Sequence, residues 1–311
     1  MTDINICYAP NENYAGLAAV SMVSVLKNAS PDDNINFIIL YNKDNFSDFT
    51  VQKLKQVSEI RPCNIRFINM SLDEFKDFPL TNWVTIETWY RTKVTELCPE
   101  YNKILYLDCD TIVTASLNDL FNTDLGDNYV GIVGDKGENR LNLQDNIYFN
   151  AGVILFNTEF CNKNHLFNQI KTFIKNNKKY LKFADQDVLN IITDEKKYKL
   201  PEEYNYCENY FKVLDYEILD NPKIIHFIGP NPNRFDCMHS KKHIWEEYSK
   251  LTPFYNDFIE KNIYNMIKMY PKLQFDRIKY KILSKISFGK QKNHYKTKSI
   301  ILERIFNKLH F

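Results

Sequence analysis

The chain has 311 residues, enough for one large α/β domain with a small extension, and its 44% hydrophobic and 25% charged residues are typical of a soluble globular protein. No apolar run approaches the roughly 20 residues that a membrane-spanning helix needs. Residues 270–311 contain eleven Lys and Arg against two acids and carry +9, so residues 1–269 carry −8 of the total of +1. An acidic body with a basic tail is not typical of a general nucleic-acid-binding protein.

The cysteine pattern and the N-terminus both indicate a cytoplasmic protein. Seven cysteines are an odd number and no C-x-x-C pair occurs, which argues against a disulfide scaffold and a structural zinc site. The N-terminus does not look like a signal peptide, because Asp3 comes early and residues 4–8 already have the pattern of a strand. We therefore expect a reducing compartment.

Strand and helix patterns alternate through the first 110 residues, which predicts an α/β fold with a mainly parallel sheet covered by helices on both faces. The predicted strands, in chain order, are Ile4–Ala9, Asn36–Tyr41, Asn64–Asn69, Lys103–Leu107, Tyr129–Val133, Tyr148–Asn157 and Lys223–Ile228. The predicted helices are Tyr14–Ala29, Phe46–Ile60, Glu87–Leu97, His165–Asn177, Asp185–Ile192 and Lys241–Lys250.

The strongest local signal is a pair of carboxylates, Asp108 and Asp110, directly after the apolar strand Lys103–Leu107. Ligands of open α/β sheets bind beyond the carboxyl ends of the strands. Two acids this close need a positive charge between them, and Mg²⁺ or Mn²⁺ suits carboxylate ligands. Such a cation would hold a diphosphate and stabilise it as a leaving group. Solvated loop acids without a ligand are the alternative.

Two other segments could complete a site. His226 lies in an apolar strand that closes with Gly229, and as a third ligand its imidazole would favour Mn²⁺ over Mg²⁺; a core histidine bonded to backbone is the alternative. Asn150, Ala151 and Gly152 interrupt another strand, where glycine permits close approach of a ligand and the amide could bind sugar hydroxyls. A β-bulge would explain that triplet equally well.

The segment Ala184–Asp187 opens a predicted helix. Asp185 as its N-cap and Asp187 near its positive end need no functional explanation, whereas Gln186 is not required for capping. Arg91 lies in the helix before the Lys103–Leu107 strand and could neutralise a phosphate or hydrogen-bond a sugar. A surface charge is the alternative for Arg91.

The order and spacing of these motifs resemble glycosyltransferase family 8, most closely its bacterial lipopolysaccharide galactosyl- and glucosyltransferases. The resemblance runs from about residue 4 to about residue 240. It implies a GT-A (Rossmann-like) fold and a retaining transfer of galactose or glucose from a UDP-sugar to a saccharide hydroxyl, with Mn²⁺ and with Mg²⁺ as the alternative. The segments that carry it are Tyr8–Tyr14, Trp89–Arg91, Leu107–Asp110, Phe149–Gly152, Ala184–Asp187 and His226–Gly229.

The resemblance also implies domains and residue roles. Residues 1–269 would form the catalytic domain, with a nucleotide-binding half of about 1–112 and an acceptor half of about 113–269. Asp108, Asp110 and His226 would hold the metal, and Gln186 and Asp185 would be the catalytic side chains. Asp135 would lie near the sugar and the acceptor. The residues expected to bind the donor are Ala9, Asn11, Asn13, Tyr14, Arg91, Asp108, Cys109, Asp135, Asn150, Ala151, Gly152, Gly229 and Arg234.

Two positions depart from the family pattern. The family usually has an acid where Asn11 stands, but an amide can pair with uracil through its oxygen and its NH₂ group. The family often has a diphosphate-binding lysine where Pro232 stands, and we expect Arg234 to take over that contact, because a guanidinium binds phosphate well. Retention by double displacement would need a nucleophile under the sugar. Gln186 is poorly nucleophilic and Asp185 would have to reach the anomeric carbon, so a front-face route is our hypothesis.

The tail, residues 270–311, has apolar residues at helical spacing with basic residues between them. These are Phe275, Ile278, Ile282 and Ile286, and after a break near Gly289, Leu302, Ile305, Phe306 and Leu309. Basic amphipathic helices lie in membrane interfaces, so we expect peripheral association with the anionic inner face of the cell membrane and a lipid-linked glycan acceptor. A helix packed on the domain, with its lysines in solvent, is the alternative.

Three other functions fit parts of the sequence. A strand followed by Asp-x-Asp also opens the haloacid-dehalogenase fold, which would make Asp108 the nucleophile of a phosphatase or phosphotransferase. That fold needs the motif near the N-terminus and an acidic pair far downstream, but three strands precede Asp108. A self-glucosylating protein like glycogenin would use one of the 20 tyrosines. A catalytically inactive scaffold is disfavoured by the intact acids and histidine.

Overall fold

A computed structural model describes residues 2–80, 85–135, 141–177, 181–207, 219–287 and 289–309. These residues form two compact units. The first comprises the described residues up to Tyr206 together with Leu219–His226, and the second comprises Cys207 and the described residues from Phe227 onward.

A seven-stranded mixed sheet lies at the centre of the first unit, with the strand order β3-β2-β1-β4-β7-β6-β8 among the described residues. Strands β3, β2, β1 and β4 are mutually parallel, β7 is antiparallel to β4 and β6, and β8 is parallel to β6. This confirms the predicted mixed, mainly parallel sheet. The strands are β1 (Asp3–Tyr8), β2 (Asn34–Tyr41), β3 (Asn64–Asn69), β4 (Lys103–Leu107), β5 (Thr111–Val113), β6 (Val130–Ile132), β7 (Val153–Asn157), β8 (Lys197–Lys199), β9 (Tyr206–Cys207) and β10 (Ile224–His226).

The central strands are buried on both faces, which explains their nearly continuous apolar sequences. Every residue of β1 from Ile4 and of β4 from Ile104 is buried. From β1 the chain moves outward through β2 and β3 on one side. It then returns to place β4 on the other side of β1. Such a switch point opens a crevice beyond the carboxyl ends of the strands, and residues 9–14 and 108–110 leave the sheet there.

Helices cover the sheet, and several are shorter than the sequence pattern predicts. The predicted helix over residues 46–60 ends in a 3₁₀ turn at Gln56–Glu59, and the one over residues 87–97 is interrupted by a 3₁₀ turn at Arg91–Lys93. Those of the first unit are α1 (Ala15–Asn28), α2 (Asp48–Lys55), α3 (Ile86–Tyr90), α4 (Val94–Leu97), α5 (Asn118–Asn122), α6 (Thr158–Lys163), α7 (Leu166–Asn177) and α8 (Ala184–Ile192).

Three predicted strands are also shorter than expected, and one of them, Tyr129–Val133, is observed as β6 (Val130–Ile132). The strand predicted over residues 148–157 begins only at Val153, because the Asn150 side chain accepts a hydrogen bond from Gly152 N and forms a turn instead of a ladder. The strand predicted over residues 223–228 is limited to β10. The sequence pattern does not predict β5, β8 or α6, because their three to six residues are too few to show a period.

The second unit contains α9 (Lys242–Ser249), α10 (Tyr255–Ile286) and α11 (Gly289–Leu309). The predicted domain boundary at residue 270 lies within α10, one residue before Pro271, and stays a prediction. Leu273 of α10 and Leu302 of α11 are buried together, with Phe235 and Met238 beside them. The side chains of Ile305, Phe306 and Leu309 lie outside the described part. None of the described helices is long and apolar enough to cross a membrane.

Candidate metal and donor site

Strand pairing brings together the three predicted metal ligands. Asp108 and Asp110 follow β4, and β5 begins directly afterwards. Because β5 pairs antiparallel with β10, His226 lies opposite Thr111. His226 Nε2 is 3.4 Å from Asp110 Oδ1 and 3.7 Å from Asp108 Oδ2, and one ligand atom from each residue lies within 4.8 Å of the others. Two carboxylates and one imidazole at this spacing can hold a divalent cation.

Asn205 orients the histidine of this cluster. His226 is buried, and its Nδ1 is 3.2 Å from Asn205 Oδ1. An amide oxygen only accepts hydrogen bonds, so Nδ1 is the donor in this contact, and in the neutral imidazole Nε2 then has the lone pair that a metal needs. The sequence offered no signal for Asn205, because its role depends on the approach of a residue 21 positions later in the chain.

Gly152 makes room for the metal ligands themselves. A Cβ atom at this position would lie 2.8 Å from His226 Nδ1 and 2.7 Å from Asp108 Oδ2. Gly152 O also accepts a hydrogen bond from Asp108 N at 2.7 Å. In this structure the groups that closely approach Gly152 are the side chains of His226 and Asp108. Any larger residue at this position would displace one of them.

We predict that Gly152→Ala weakens the binding of a divalent cation at least about tenfold, because the methyl group separates the ligands. Isothermal titration with Mn²⁺ measures the effect. Gly134→Ala is the matched control, since among the described residues its added Cβ would meet Ile147 alone, at 3.4 Å. Equal Mn²⁺ affinity in wild type and Gly152→Ala would contradict the arrangement.

Arg91 is a buried charge and not a surface one. Its guanidinium donates to Asp108 Oδ1 at 2.9 Å and to Ala151 O at 2.5 Å, and it lies 3.2 Å from Asp185 Oδ2. The guanidinium also stacks over the Tyr106 ring, 4.3 Å from its centroid. Burial alone would lower the pKa of Arg91, but the neighbouring acids raise it. Arg91 therefore links the metal strand, the turn at residues 150–152 and helix α8; its predicted contact with the donor stays a prediction.

Asp185 is buried beside this guanidinium and is not the N-cap that the sequence suggested. Helix α8 begins at Ala184, and Phe183 precedes it without a side-chain cap. Burial raises the pKa of Asp185 to about 6, although Arg91 opposes this shift. Its Oδ2 accepts no hydrogen bond from the described residues, so the 3.2 Å approach of Arg91 Nε is a charge contact.

The raised pKa predicts a pH-dependent stability. The folded protein keeps the Asp185 proton at a pH where the unfolded chain, with an ordinary value of 3.8, has lost it. This contribution is present below about pH 4 and is lost as the pH rises through about 6. Relative to Asp185→Asn, the wild-type free energy of unfolding should therefore fall by about 2 kcal/mol between about pH 4 and pH 7.

Urea unfolding in the presence of a chelator measures this difference. Asp127→Asn, which changes an exposed acid, is the control and should follow the wild-type curve. Parallel curves for wild type and Asp185→Asn would refute the predicted titration.

Gln186 and the turn at residues 150–152 lie side by side. Gln186 Oε1 accepts a hydrogen bond from Ala151 N at 3.1 Å. Asn190, one turn further along α8, donates to Phe149 O at 2.9 Å and accepts from Phe149 N at 2.9 Å. Asn190 was not identified from the sequence, because an asparagine in the middle of a helix carries no signal of its own. These bonds hold the first turns of α8 against the segment that contains Gly152.

The predicted nucleotide-binding residues lie in the loop after β1. Ala9 directly follows β1 and is buried, and Tyr14 is 38% exposed just before α1, where its ring can stack on a base. Asn11 Oδ1 accepts hydrogen bonds from Asn13 N at 3.0 Å and Tyr14 N at 3.2 Å. The Asn11 oxygen is therefore already bonded to two backbone N–H groups, and the pairing of Asn11 with uracil stays a prediction.

Four other predicted donor-binding residues lie in different places. Cys109 is buried, and burial raises the pKa of its thiol, which favours the neutral form. Asp135 N donates to Tyr148 O at 2.7 Å, which places Asp135 beside the segment that precedes Asn150. Gly229 and Arg234 belong to the second unit. Gly229 has a φ of 104°, which favours glycine, and Arg234 forms a two-pronged ion pair with Asp236; their roles stay predictions.

Comparison with known proteins identifies the class. Residues 5–231 match the sequence profile described as Glycosyl transferase family 8. The galactosyltransferase LgtC, solved in complex with donor and acceptor sugar analogues, is 27% identical with a TM-score of 0.70, and the match covers 81% of this chain and 96% of LgtC. The lipopolysaccharide 1,2-glucosyltransferase of Escherichia coli is 26% identical over 281 residues, 84% of this chain and 78% of that protein. The lipopolysaccharide 1,3-galactosyltransferase of Salmonella typhimurium is 26% identical over 248 residues, which are 73% of this chain and 71% of that protein.

The fold and the site together define a glycosyltransferase of the GT-A fold. Because the family profile matches most of the chain, the protein belongs to glycosyltransferase family 8, as its motifs predicted. Neither the phosphatase nor the glycogenin-like alternative is favoured by these comparisons.

Proposed function

We propose that the protein is a retaining hexosyltransferase that moves galactose or glucose from a UDP-sugar to a saccharide hydroxyl, in the synthesis of lipopolysaccharide or another surface glycan. The observation that carries this proposal is the cluster of Asp108, Asp110 and His226 at the switch point of the sheet. The lipopolysaccharide hexosyltransferases among the relatives support the choice of sugar and acceptor.

The residues of the cluster fit a bound cation. Two carboxylate oxygens and the Nε2 lone pair of His226 form the donor set, and the imidazole favours Mn²⁺ over Mg²⁺. When bound, the cation supplies positive charge that stabilises the departing diphosphate. Arg91 compensates the charge of Asp108 from the buried side.

The donor sugar would lie against α8 and the turn at residues 150–152. Asp185 Oδ2 is buried and has no hydrogen bond from the described residues, so it could accept one from a sugar hydroxyl only if donor binding exposed it. Asn150 uses its oxygen to bind Gly152 N, so its NH₂ group can donate to the sugar. The UDP end would follow the loop of Asn11 and Tyr14 beyond β1.

Retention fits a front-face route better than a double displacement. Gln186 is an amide, and its oxygen is already held by Ala151 N. Asp185 is buried beside Arg91, and its pKa of about 6 reflects burial more than activation as a nucleophile. Neither side chain is placed as a free nucleophile. The departing phosphate would therefore help to take the proton of the acceptor hydroxyl as the new bond forms on the same face.

We predict slow, Mn²⁺-dependent release of UDP from one UDP-sugar, because water replaces the acceptor when none is present. Asp110→Ala should reduce this rate by at least about 100-fold, since it removes a metal ligand. Asp127→Ala, at an exposed acid, is the matched control and should retain the wild-type rate.

The assay uses a panel of UDP-sugars, with Mn²⁺ or with a chelator, and the intact mass of the protein is measured in parallel. No binding or turnover of any UDP-sugar would overturn the proposal. A mass increase by whole hexose units would instead indicate self-glycosylation.

We further propose that the protein associates peripherally with the cytoplasmic face of the cell membrane, through α10 and the tail, to reach a lipid-linked glycan. The apolar side chains Phe275, Ile278, Ile282 and Ile286 are 54–67% exposed. Exposed lysines line the same helix at positions 268, 272, 279, 281 and 285. An apolar ridge between lysines suits an anionic lipid surface, and each basic residue adds about 1 kcal/mol.

We predict that Lys268→Glu, Lys272→Glu and Lys279→Glu together weaken binding to phosphatidylglycerol vesicles at least about tenfold, because the surface becomes repelled by anionic lipid. Vesicle sedimentation measures binding. A control with the same change of charge, at the exposed residues Lys43, Lys163 and Lys196, should bind like wild type. Equal loss in both triple variants would show that only net charge matters and would contradict a role for α10.

A further inference from the structure

The amide of Gln186 is held at both ends. Its Nε2 donates a hydrogen bond to the Tyr148 hydroxyl at 2.7 Å, and its Oε1 accepts one from Ala151 N at 3.1 Å. A primary amide can rotate by 180° unless its partners distinguish oxygen from nitrogen. The backbone N–H of Ala151 can only donate, so it selects the oxygen of the Gln186 amide at one end. Whether the Tyr148 hydroxyl selects the nitrogen at the other end depends on where its proton points.

A buried carboxylate fixes the direction of that proton. The Tyr148 hydroxyl donates to Asp187 Oδ1 at 2.8 Å. Asp187 is fully buried, and its Oδ2 accepts hydrogen bonds from Lys182 N at 2.8 Å and Phe183 N at 2.9 Å. The carboxylate can only accept, so the phenolic proton points to Asp187 and the phenolic oxygen can only accept from Gln186.

We infer that Tyr148 is a positioning residue for Gln186, which sets the orientation of its amide toward the donor sugar. In this orientation one Nε2 hydrogen and one Oε1 lone pair have no partner among the described residues and can face the sugar. The inference rests on the proposed function, in which Gln186 lies against the donor. Asp187 acts one step further away, as the group that orients the Tyr148 hydroxyl.

The surrounding structure should survive loss of this hydroxyl. Segment 148–152 is also held by Asn190, which forms two hydrogen bonds with Phe149, and by Gly152 O, which accepts from Asp108 N. Asp187 would keep its two backbone donors. Tyr148→Phe should therefore fold and bind Mn²⁺ like wild type while the Gln186 amide loses its orientation.

A double-mutant cycle tests whether Tyr148 acts through Gln186. Tyr148→Phe should lower kcat about tenfold with less than about a threefold change in the KM of the UDP-sugar, because misorientation affects the reacting geometry more than ground-state binding. Gln186→Ala should lower kcat at least as much. The double variant should be no slower than Gln186→Ala, because coupled residues are not additive.

Tyr129→Phe is the matched control. Tyr129 is also buried, and its hydroxyl also accepts from a glutamine, Gln169, at 3.1 Å. This variant should keep the wild-type kcat, and the melting temperatures of both tyrosine variants should be similar.

Three results would overturn the inference about Tyr148, and a fourth would overturn the proposed function. An unchanged kcat in Tyr148→Phe or in Gln186→Ala would overturn the inference, and so would an additive loss in the double variant. Wild-type protein that transfers no sugar from any UDP-sugar would overturn the proposed function itself, and with it the role of Gln186.

Discussion

The site depends on one buried guanidinium. Asp108, Asp110 and Asp185 converge beyond the end of β4, and in a partly buried environment their mutual repulsion would separate them. Arg91 lies between Asp108 and Asp185 and also binds Ala151 O, so it compensates charge and connects three segments of chain. Removal of one partner from such a buried network leaves an uncompensated charge, which typically costs about 3–5 kcal/mol. Arg91 therefore determines how closely the other groups can approach.

Close packing adds a second constraint, because the metal ligands come from strands that are far apart in the chain. Antiparallel pairing of β5 with β10 carries His226 to the Asp108–Asp110 turn, and the missing side chain of Gly152 leaves the space it needs. Asn205 then orients the imidazole. The cluster can hold a cation only if pairing, packing and orientation agree. This requirement explains why a single methyl group at residue 152 should disturb the cluster.

The same segment links the metal to the proposed sugar site. The turn at residues 150–152 touches the metal ligands on one side, and Ala151 N binds Gln186 on the other. Three successive residues at the start of helix α8 have different partners. Asp185 faces Arg91, Gln186 binds Ala151 N, and Asp187 binds the Tyr148 hydroxyl. Both acids are buried, but their partners differ. Asp185 forms an ion pair with Arg91, whereas Asp187 accepts hydrogen bonds from backbone N–H groups and from the Tyr148 hydroxyl.

Sequence alone determined the parts that depend on local pattern. Alternating strands and helices predicted the mixed, mainly parallel sheet, and the carboxylates after β4 together with His226 predicted a metal site of glycosyltransferase family 8. Tertiary structure decided the rest. Asn205, Tyr148 and Asn190 bind side chains or backbone 21, 38 and 41 positions away, and no local period reports such contacts. Likewise, the burial of Arg91 and the engaged oxygen of Asn11 arise from how the segments pack and turn, because the same residue types elsewhere in a chain would lie in solvent.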